Sequence, residues 1–235
     1  MPNEAPASRH ALVSGSSSGI GLAIARQLLD EGWHVSGWDR SAPTVTHERF
    51  TPVGVDLMNQ QAIAEALRAQ SPVAALVHAA GWMRTAPLDM LDLEAGDAMW
   101  RLHVQSVTQM ARTLVPAMAG RGLGRVVLIG SRVAGGMAGR SQYAAVKAAL
   151  VAMARSWAAE VAARGVTVNV VSPAATQTAM LDDPARAGSS PQLPPIGRYI
   201  EPREVAALVA FLLSSSAAAI TGQDLLICGG ASLSR

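Results

Sequence analysis

The chain is almost without lysine. Lys147 is the only one, and the rest of its 19 basic residues are arginine. It has one cysteine, Cys228, which excludes an internal disulfide and a multi-cysteine metal site, so no metal is expected. Charged residues make up only 15% of the 235 positions and the formal net charge is +2. There is no Lys/Arg run and no basic-aromatic interleaving, so nucleic acid is not expected as a partner. No apolar stretch approaches about 20 uncharged residues, which argues against a membrane span. The N-terminal Met1-Pro2-Asn3-Glu4-Ala5-Pro6 lacks the basic segment and apolar core of a secretory signal. A cytoplasmic protein is therefore expected. Half of the residues are hydrophobic, enough for one well-cored domain spanning 1–235.

Short apolar runs alternate with longer helical patterns. Strands are predicted at His10–Ser14, Trp33–Trp38, Val53–Val55, Val73–His78, Gly124–Ile129, Val166–Val171 and Leu225–Cys228. Helices are predicted at Ile20–Glu31, Gln60–Ala69, Glu94–Ala119, Ser141–Ala163 and Glu201–Leu213. This alternation implies an α/β fold with a parallel sheet covered by helices on both faces. Residues Asp182 to Arg198 are rich in Pro, Ser and Gly and form a candidate substrate lid.

The first strand runs into Ser14-Gly15-Ser16-Ser17-Ser18-Gly19-Ile20-Gly21, which opens a helix. Glycines suit a tight turn, the approach of backbone to a pyrophosphate, and close packing of helix on strand. The free N–H groups of the helix start then face the phosphates. Gly15, Ser17, Ser18, Gly19, Ile20 and Gly21 are the candidate contacts. A Gly/Ser turn with no ligand is the bland alternative, and it weakens because strand, turn and helix follow in order. About eighteen residues past Gly21, at the end of the second strand, stands Asp39. A carboxylate there accepts from the adenosine ribose hydroxyls of NAD and repels the 2′-phosphate of NADP. Arg40 next to it could instead meet that phosphate, or the two could be an ordinary loop ion pair. NAD is the favoured cofactor and NADP the alternative.

Tyr143 lies four residues before Lys147, which places both side chains on one helix face. An ammonium beside a phenol favours the phenolate and lowers the phenol pKa. By itself this spacing is a weak signal, more often a packed tyrosine near a solvated lysine.

Taken together, these motifs resemble the short-chain dehydrogenase/reductase family, over roughly Ala11 to Leu233. The turn matches T-G-x-x-x-G-x-G with Ser14 for Thr. Asp56-Leu57 matches the pair flanking the adenine. His78-Ala79-Ala80-Gly81 matches N-N-A-G with both Asn positions changed. Ser131 stands where the catalytic serine follows the fifth strand, and Tyr143 with Lys147 matches Y-x-x-x-K. Asn169 to Ala174 matches N-x-x-x-P-G with Ala for Gly, Thr178 and Met180 match T-x-M, and Gly229-Gly230 match D-G-G with Cys228 for Asp. The resemblance implies a Rossmann-like, doubly wound sheet of seven strands in the order 3-2-1-4-5-6-7. It implies that Tyr143 is the acid/base, that Lys147 holds the nicotinamide ribose and lowers the tyrosine pKa, and that Ser131 positions the substrate oxygen. Ala79, Ala80, Gly81, Pro173, Thr176 and Thr178 would line the cofactor site.

Where the family has an Asn that completes a proton relay, this chain has His103. It either substitutes in the relay or only bonds a backbone carbonyl at a helix bend. His78 reads as structural. Trp82, Arg132 and Met137 are candidate substrate contacts, in an apolar pocket whose arginines (Arg84, Arg132 and Arg140) either meet an anionic substituent or are ordinary surface residues. The expected substrate is a small or mid-sized cyclic or aromatic secondary alcohol or ketone, oxidised if NAD is the cofactor. The alternatives are an NADPH-dependent ketone or 3-oxoacyl reductase, or a cofactor-binding protein without catalysis, which would have no need of the Ser131, Tyr143 and Lys147 set. The resemblance also implies a homo-oligomer, dimer or tetramer, built on the two long helices.

Overall fold

A computed structural model describes residues 9–181 and 192–233. Its seven strands are β1 (His10–Ser14), β2 (His34–Asp39), β3 (Phe50–Gly54), β4 (Ala75–His78), β5 (Gly124–Ile129), β6 (Val166–Pro173) and β7 (Asp224–Ile227). All pair in parallel, in the order β3-β2-β1-β4-β5-β6-β7. The six helices are α1 (Gly19–Asp30), α2 (Gln60–Ala69), α3 (Leu93–Trp100), α4 (Ser106–Gly120), α5 (Ser141–Val161) and α6 (Pro202–Leu213). The chain is thus the doubly wound α/β fold that the alternation implied.

The alternation of side chains along each strand divides the core into two layers. On one face Leu12, Leu76, Val126, Leu128 and Val168 pack against Ile63 of α2, Met110 and Leu114 of α4 and Leu150 of α5. On the other, Ala11, Val13, Val77, Val127 and Ile129 meet Ile24 and Leu28 of α1 and Val205 and Val209 of α6. Every residue of β5 and β6 is buried, as expected for strands covered on both sides. The strand order reverses between β1 and β4. That switch opens a crevice at the carboxyl edge of the sheet, where ligands of this architecture bind.

Two departures from the sequence reading stand out. Strand β3 begins at Phe50, three residues earlier than the apolar run Val53–Val55 suggests. It carries Pro52 opposite Gly37. Proline is tolerated there because β3 is an edge strand and one side of it needs no donor. The single helix expected over Glu94–Ala119 is instead α3 and α4 joined by a wide π-helical turn, Arg101–Gln105. The hydroxyl of Ser106 donates to the Leu102 carbonyl, and Thr108 Oγ1 donates to the Val104 carbonyl at 2.7 Å. The wide turn buries both His103 and Val104, and such turns concentrate at functional sites. No helix among the described residues is long and apolar enough to cross a membrane.

Leu12 is fully buried in the central strand. Leu12→Ala is expected to cost about 2–5 kcal/mol, the range for a large-to-small change in a closed core. Urea denaturation of the two proteins would measure it.

Candidate active site

The crevice holds a cavity of about 860 Å³ that runs from the glycine turn to the start of α5. At one end the turn is shaped by contact. Gly15 has φ +70°, and a Cβ there would lie 2.8 Å from the backbone of Ala80. A Cβ on Gly21 would sit 2.0 Å from the Gly15 carbonyl oxygen. Only glycine fits either place. The N-cap residue of α1, Ser18, makes no side-chain cap, and the first turn carries no acid. The first N–H groups of α1 are therefore free to meet an anion.

Asp39 closes this end. Its Oδ2 accepts from the Ser17 backbone N–H at 3.0 Å and its Oδ1 from that of Ser41 at 2.9 Å. The carboxylate is held on the cavity wall beside Arg40. Asp56 and Leu57 follow β3 on the same wall, and Asp56 Oδ1 accepts from the Met58 N–H at 2.9 Å. Ser17 departs from expectation and is the one named site residue off the wall. Its hydroxyl donates to the Ser41 carbonyl at 3.3 Å, and its own carbonyl accepts from Thr44 Oγ1 at 2.9 Å. Ser17 braces Asp39; it does not face the cavity.

At the other end, Tyr143 and Lys147 share one face of α5, and both are buried. The Lys147 Nζ lies 5.6 Å from the centroid of the Tyr143 ring and donates to the Ile129 carbonyl at 2.7 Å. An ammonium carries three donors, so two remain for a ligand. Burial lowers the Lys147 pKa to about 7; a phenolate at Tyr143 would favour the ammonium again. Ser131 ends the run after β5, its Oγ accepting from the Val133 N–H at 3.4 Å, and lines the cavity with Tyr143 and Lys147. The wall between the two ends comprises Ala79, Ala80 and Gly81 after β4, and Pro173, Thr176 and Thr178 after β6. Thr176 Oγ1 donates to the Ala174 carbonyl at 3.0 Å, and Thr176 bridges to Ile200. Around the Ser131 and Tyr143 hydroxyls the surface is apolar: Met83, Met99, Val133 and Tyr143 form a cluster, with Trp82, Met137 and Met180 against it. Of the expected lid, residues 182–191 lie outside the described residues. Gln192 reaches the cavity, and the Ile196 N–H donates to the Gly229 carbonyl at 3.2 Å.

His103 sits beneath this site. It is 1% exposed, and its ring meets that of Tyr143 edge to face at 5.7 Å. Its Nε2 is 2.8 Å from the Trp82 carbonyl, the contact that fixes a proton on Nε2 and leaves Nδ1 an acceptor without a protein partner. Burial, and then the charge of Lys147, hold its pKa well below the usual value. A neutral His103 can position Tyr143 and the Trp82 backbone. Carrying a proton as imidazolium is not favoured there.

His78 is placed by a second chain of bonds. The Ser14 hydroxyl oxygen accepts from Ala79 N–H at 3.1 Å and Ala80 N–H at 3.2 Å. Its proton is then free to donate to His78 Nδ1, 2.9 Å away. This ties the glycine turn to the segment after β4, and the sequence reading did not single out Ser14 for that role. The Ile129 carbonyl was likewise missed. Backbone acceptors have no residue signature, so only the fold reveals them.

Residues 15–232 match the family model described as enoyl-(acyl carrier protein) reductase. The chain is 36% identical over 240 residues to the 3-oxoacyl-(acyl-carrier-protein) reductase FabG of Vibrio cholerae, covering 94% of this chain and 96% of that protein. It is 32% identical over 237 residues to the D-threitol dehydrogenase of Mycolicibacterium smegmatis, covering 94% and 91%. A solved structure titled short chain dehydrogenase/reductase family protein superposes with a TM-score of 0.85 at 33% identity, covering 94% of this chain and 96% of that one.

Burial, followed by the Lys147 charge, lowers the His78 pKa from 6.5 to about 3. The unfolded chain therefore binds a proton that the folded chain refuses between these values. Stability is fully present above pH about 6.5 and falls as pH drops towards 3. The expected loss from His78 is on the order of a few kcal/mol. Urea unfolding at intervals from pH 7 to 4 would measure it, and His78→Asn should flatten the slope.

Proposed function

This chain belongs to the short-chain dehydrogenase/reductase family and is an oxidoreductase of alcohol or keto groups, and from that premise we propose that it passes hydride between NAD and a small or mid-sized secondary alcohol or ketone. The observation that carries this reading is one continuous cavity lined by the glycine turn, Asp39, Ser131, Tyr143 and Lys147. The residues present fit a dinucleotide. The turn has no room for a Cβ, the first N–H groups of α1 are uncapped, and Lys147 keeps two donors.

In this mechanism Lys147 holds the nicotinamide ribose while its charge favours the Tyr143 phenolate. Ser131 donates to the substrate oxygen and fixes its direction. During oxidation Tyr143 takes the hydroxyl proton; during reduction it returns one. Nicotinamide, when bound, supplies the hydride chemistry. Pro173, Thr176 and Thr178 hold the carboxamide end. Trp82 and Met137 give the reacting carbon an apolar seat, which suits a cyclic or aromatic substrate. His103 is a positioning residue, packed on Tyr143 and bonded to Trp82.

NAD is favoured because Asp39 is already held by two backbone donors where the adenosine ribose would lie. A second reading, reduction of a ketone or 3-oxoacyl group with NADPH, draws on Arg40 in the cavity wall and on the relatives named 3-oxoacyl reductases. A homo-oligomer, dimer or tetramer, and a cytoplasmic setting belong to the same proposal.

Tyr143→Phe should lower kcat by about 10²–10⁴-fold, the usual share of acid/base catalysis, while cofactor titration by nicotinamide fluorescence stays near wild type. Equal loss of binding would point to a structural role. The same titration with NADH and NADPH decides the cofactor, with NADH expected to bind more tightly. Lys147→Arg keeps a charge but replaces a compact ammonium with a planar fork. Steady-state kinetics should show a fall in kcat of at least about a hundredfold, and normal turnover would remove Lys147 from the mechanism.

A further inference from the structure

The catalytic end of the cavity carries a cation that this mechanism does not use. Arg132 follows Ser131 directly, in the short 3-10 turn Arg132–Gly135. It lines the cavity together with Ala231, which reaches it from the far end of the chain. Arg132 Nη1 donates to the Ala231 carbonyl at 3.3 Å. Its Nε is buried and has no protein partner. Among the described residues no carboxylate pairs with it.

The two acids on the cavity wall, Asp39 and Asp56, stand at the adenosine end with Arg40, whereas Arg132 and Arg140 stand at the end with Ser131 and Tyr143, where the wall carries no acid. An arginine that served only to strap Ala231 would leave a buried N–H unsatisfied, at a cost of about 1–3 kcal/mol. Buried donors of this kind call for a partner. With Nη1 turned to Ala231 and Nε buried, Nη2 is the donor left to a ligand in the cavity, and a guanidinium N–H bonds carboxylate and phosphate with a charge-assisted hydrogen bond.

We propose that Arg132 is a specificity-determining residue that binds an oxyanion of the substrate, carboxylate or phosphate. The substrate class is then a hydroxy acid, an oxo acid or a hydroxy phosphate. Arg132 follows Ser131 in the chain and lines the same cavity. This inference rests on the reading that Ser131 and Tyr143 address the substrate oxygen.

The test pairs each anion with a neutral analogue: 3-hydroxybutanoate with its methyl ester, and glycerol 3-phosphate with glycerol. Reduction of NAD and of NADP is followed in the wild type and in Arg132→Gln. In the wild type at least one anion should exceed its partner about tenfold or more in kcat/KM, the effect of one charge-assisted hydrogen bond. Which pair shows it separates carboxylate from phosphate. Arg132→Gln should raise KM for the anion at least about tenfold more than for its partner. A preference for the neutral member of both pairs, or a loss shared equally within each pair, overturns the proposal.

Calorimetric titration of butanoate and of inorganic phosphate into the protein saturated with NADH or NADPH tests the site without turnover. Saturable binding of one anion, weakened about tenfold or more in Arg132→Gln, supports it. No saturable binding of either in the wild type overturns it. If an anion binds in this way and no alcohol is oxidised, the dehydrogenase reading fails and the anion site stands.

Discussion

The bond from the Lys147 ammonium to the Ile129 carbonyl joins the two halves of the site. It fastens α5 to the carboxyl end of β5, and Ser131 lies two residues beyond that carbonyl. It also sets the direction of the lysine, with one donor spent on the sheet and two left over. Tyr143 is one helical turn back on the same face, and its ring lies 5.6 Å from the charge. Arginine could not take this place. A guanidinium is a planar fork, whereas the pocket beside Ile129 accepts a compact charge at 4% exposure. A chain that uses arginine at every other basic position therefore keeps its one lysine where shape and charge are both required.

Burial gives that lysine a second property. Removed from water, its ammonium is destabilised until the pKa lies near 7. A positive charge this poorly solvated responds strongly to a nearby negative one. In the proposed mechanism a phenolate at Tyr143 and the ammonium of Lys147 would stabilise each other more than either would at the surface. His78 and His103 contribute by staying neutral. An imidazolium at either place would oppose the ammonium, and burial prevents it.

Much of this was legible in the sequence, for physical reasons that differ from part to part. The glycine turn could be read because Gly15 and Gly21 have no room for a Cβ. The strand and helix order could be read because buried parallel strands are continuous apolar runs. Other features could not. The wide turn at Arg101–Gln105 adds one residue to a helix without breaking its apolar stripe, so the pattern over Glu94–Ala119 still looks like one helix. Strand β3 starts at Phe50 and contains Pro52, which sequence patterning counts against a strand; only its edge position explains it. Ser17 has the residue type and spacing of a phosphate contact, yet its hydroxyl turns to Ser41 and its N–H to Asp39. Ser14 and the Ile129 carbonyl acquire their roles only when β1, β4, β5 and α5 are brought together.

The relatives separate what is shared from what varies. At 36% and 32% identity, one is named a 3-oxoacyl reductase and the other a D-threitol dehydrogenase. A 3-oxoacyl group and D-threitol have little in common beyond a carbon that exchanges hydride. Identity at this level therefore speaks for the fold and the reacting group, and the substrate must be read from the walls around Ser131. Here those walls are methionines and Trp82, with Arg132 on the chain immediately after the serine. An apolar seat alone would accept many alcohols with little discrimination, since a methylene more or less changes binding by about 1–3 kcal/mol. On the proposed reading a guanidinium discriminates more sharply, because a substrate without an anion leaves it without a charged partner. On the proposed reading, selectivity in this pocket turns on Arg132, a charged group that the apolar wall does not pair.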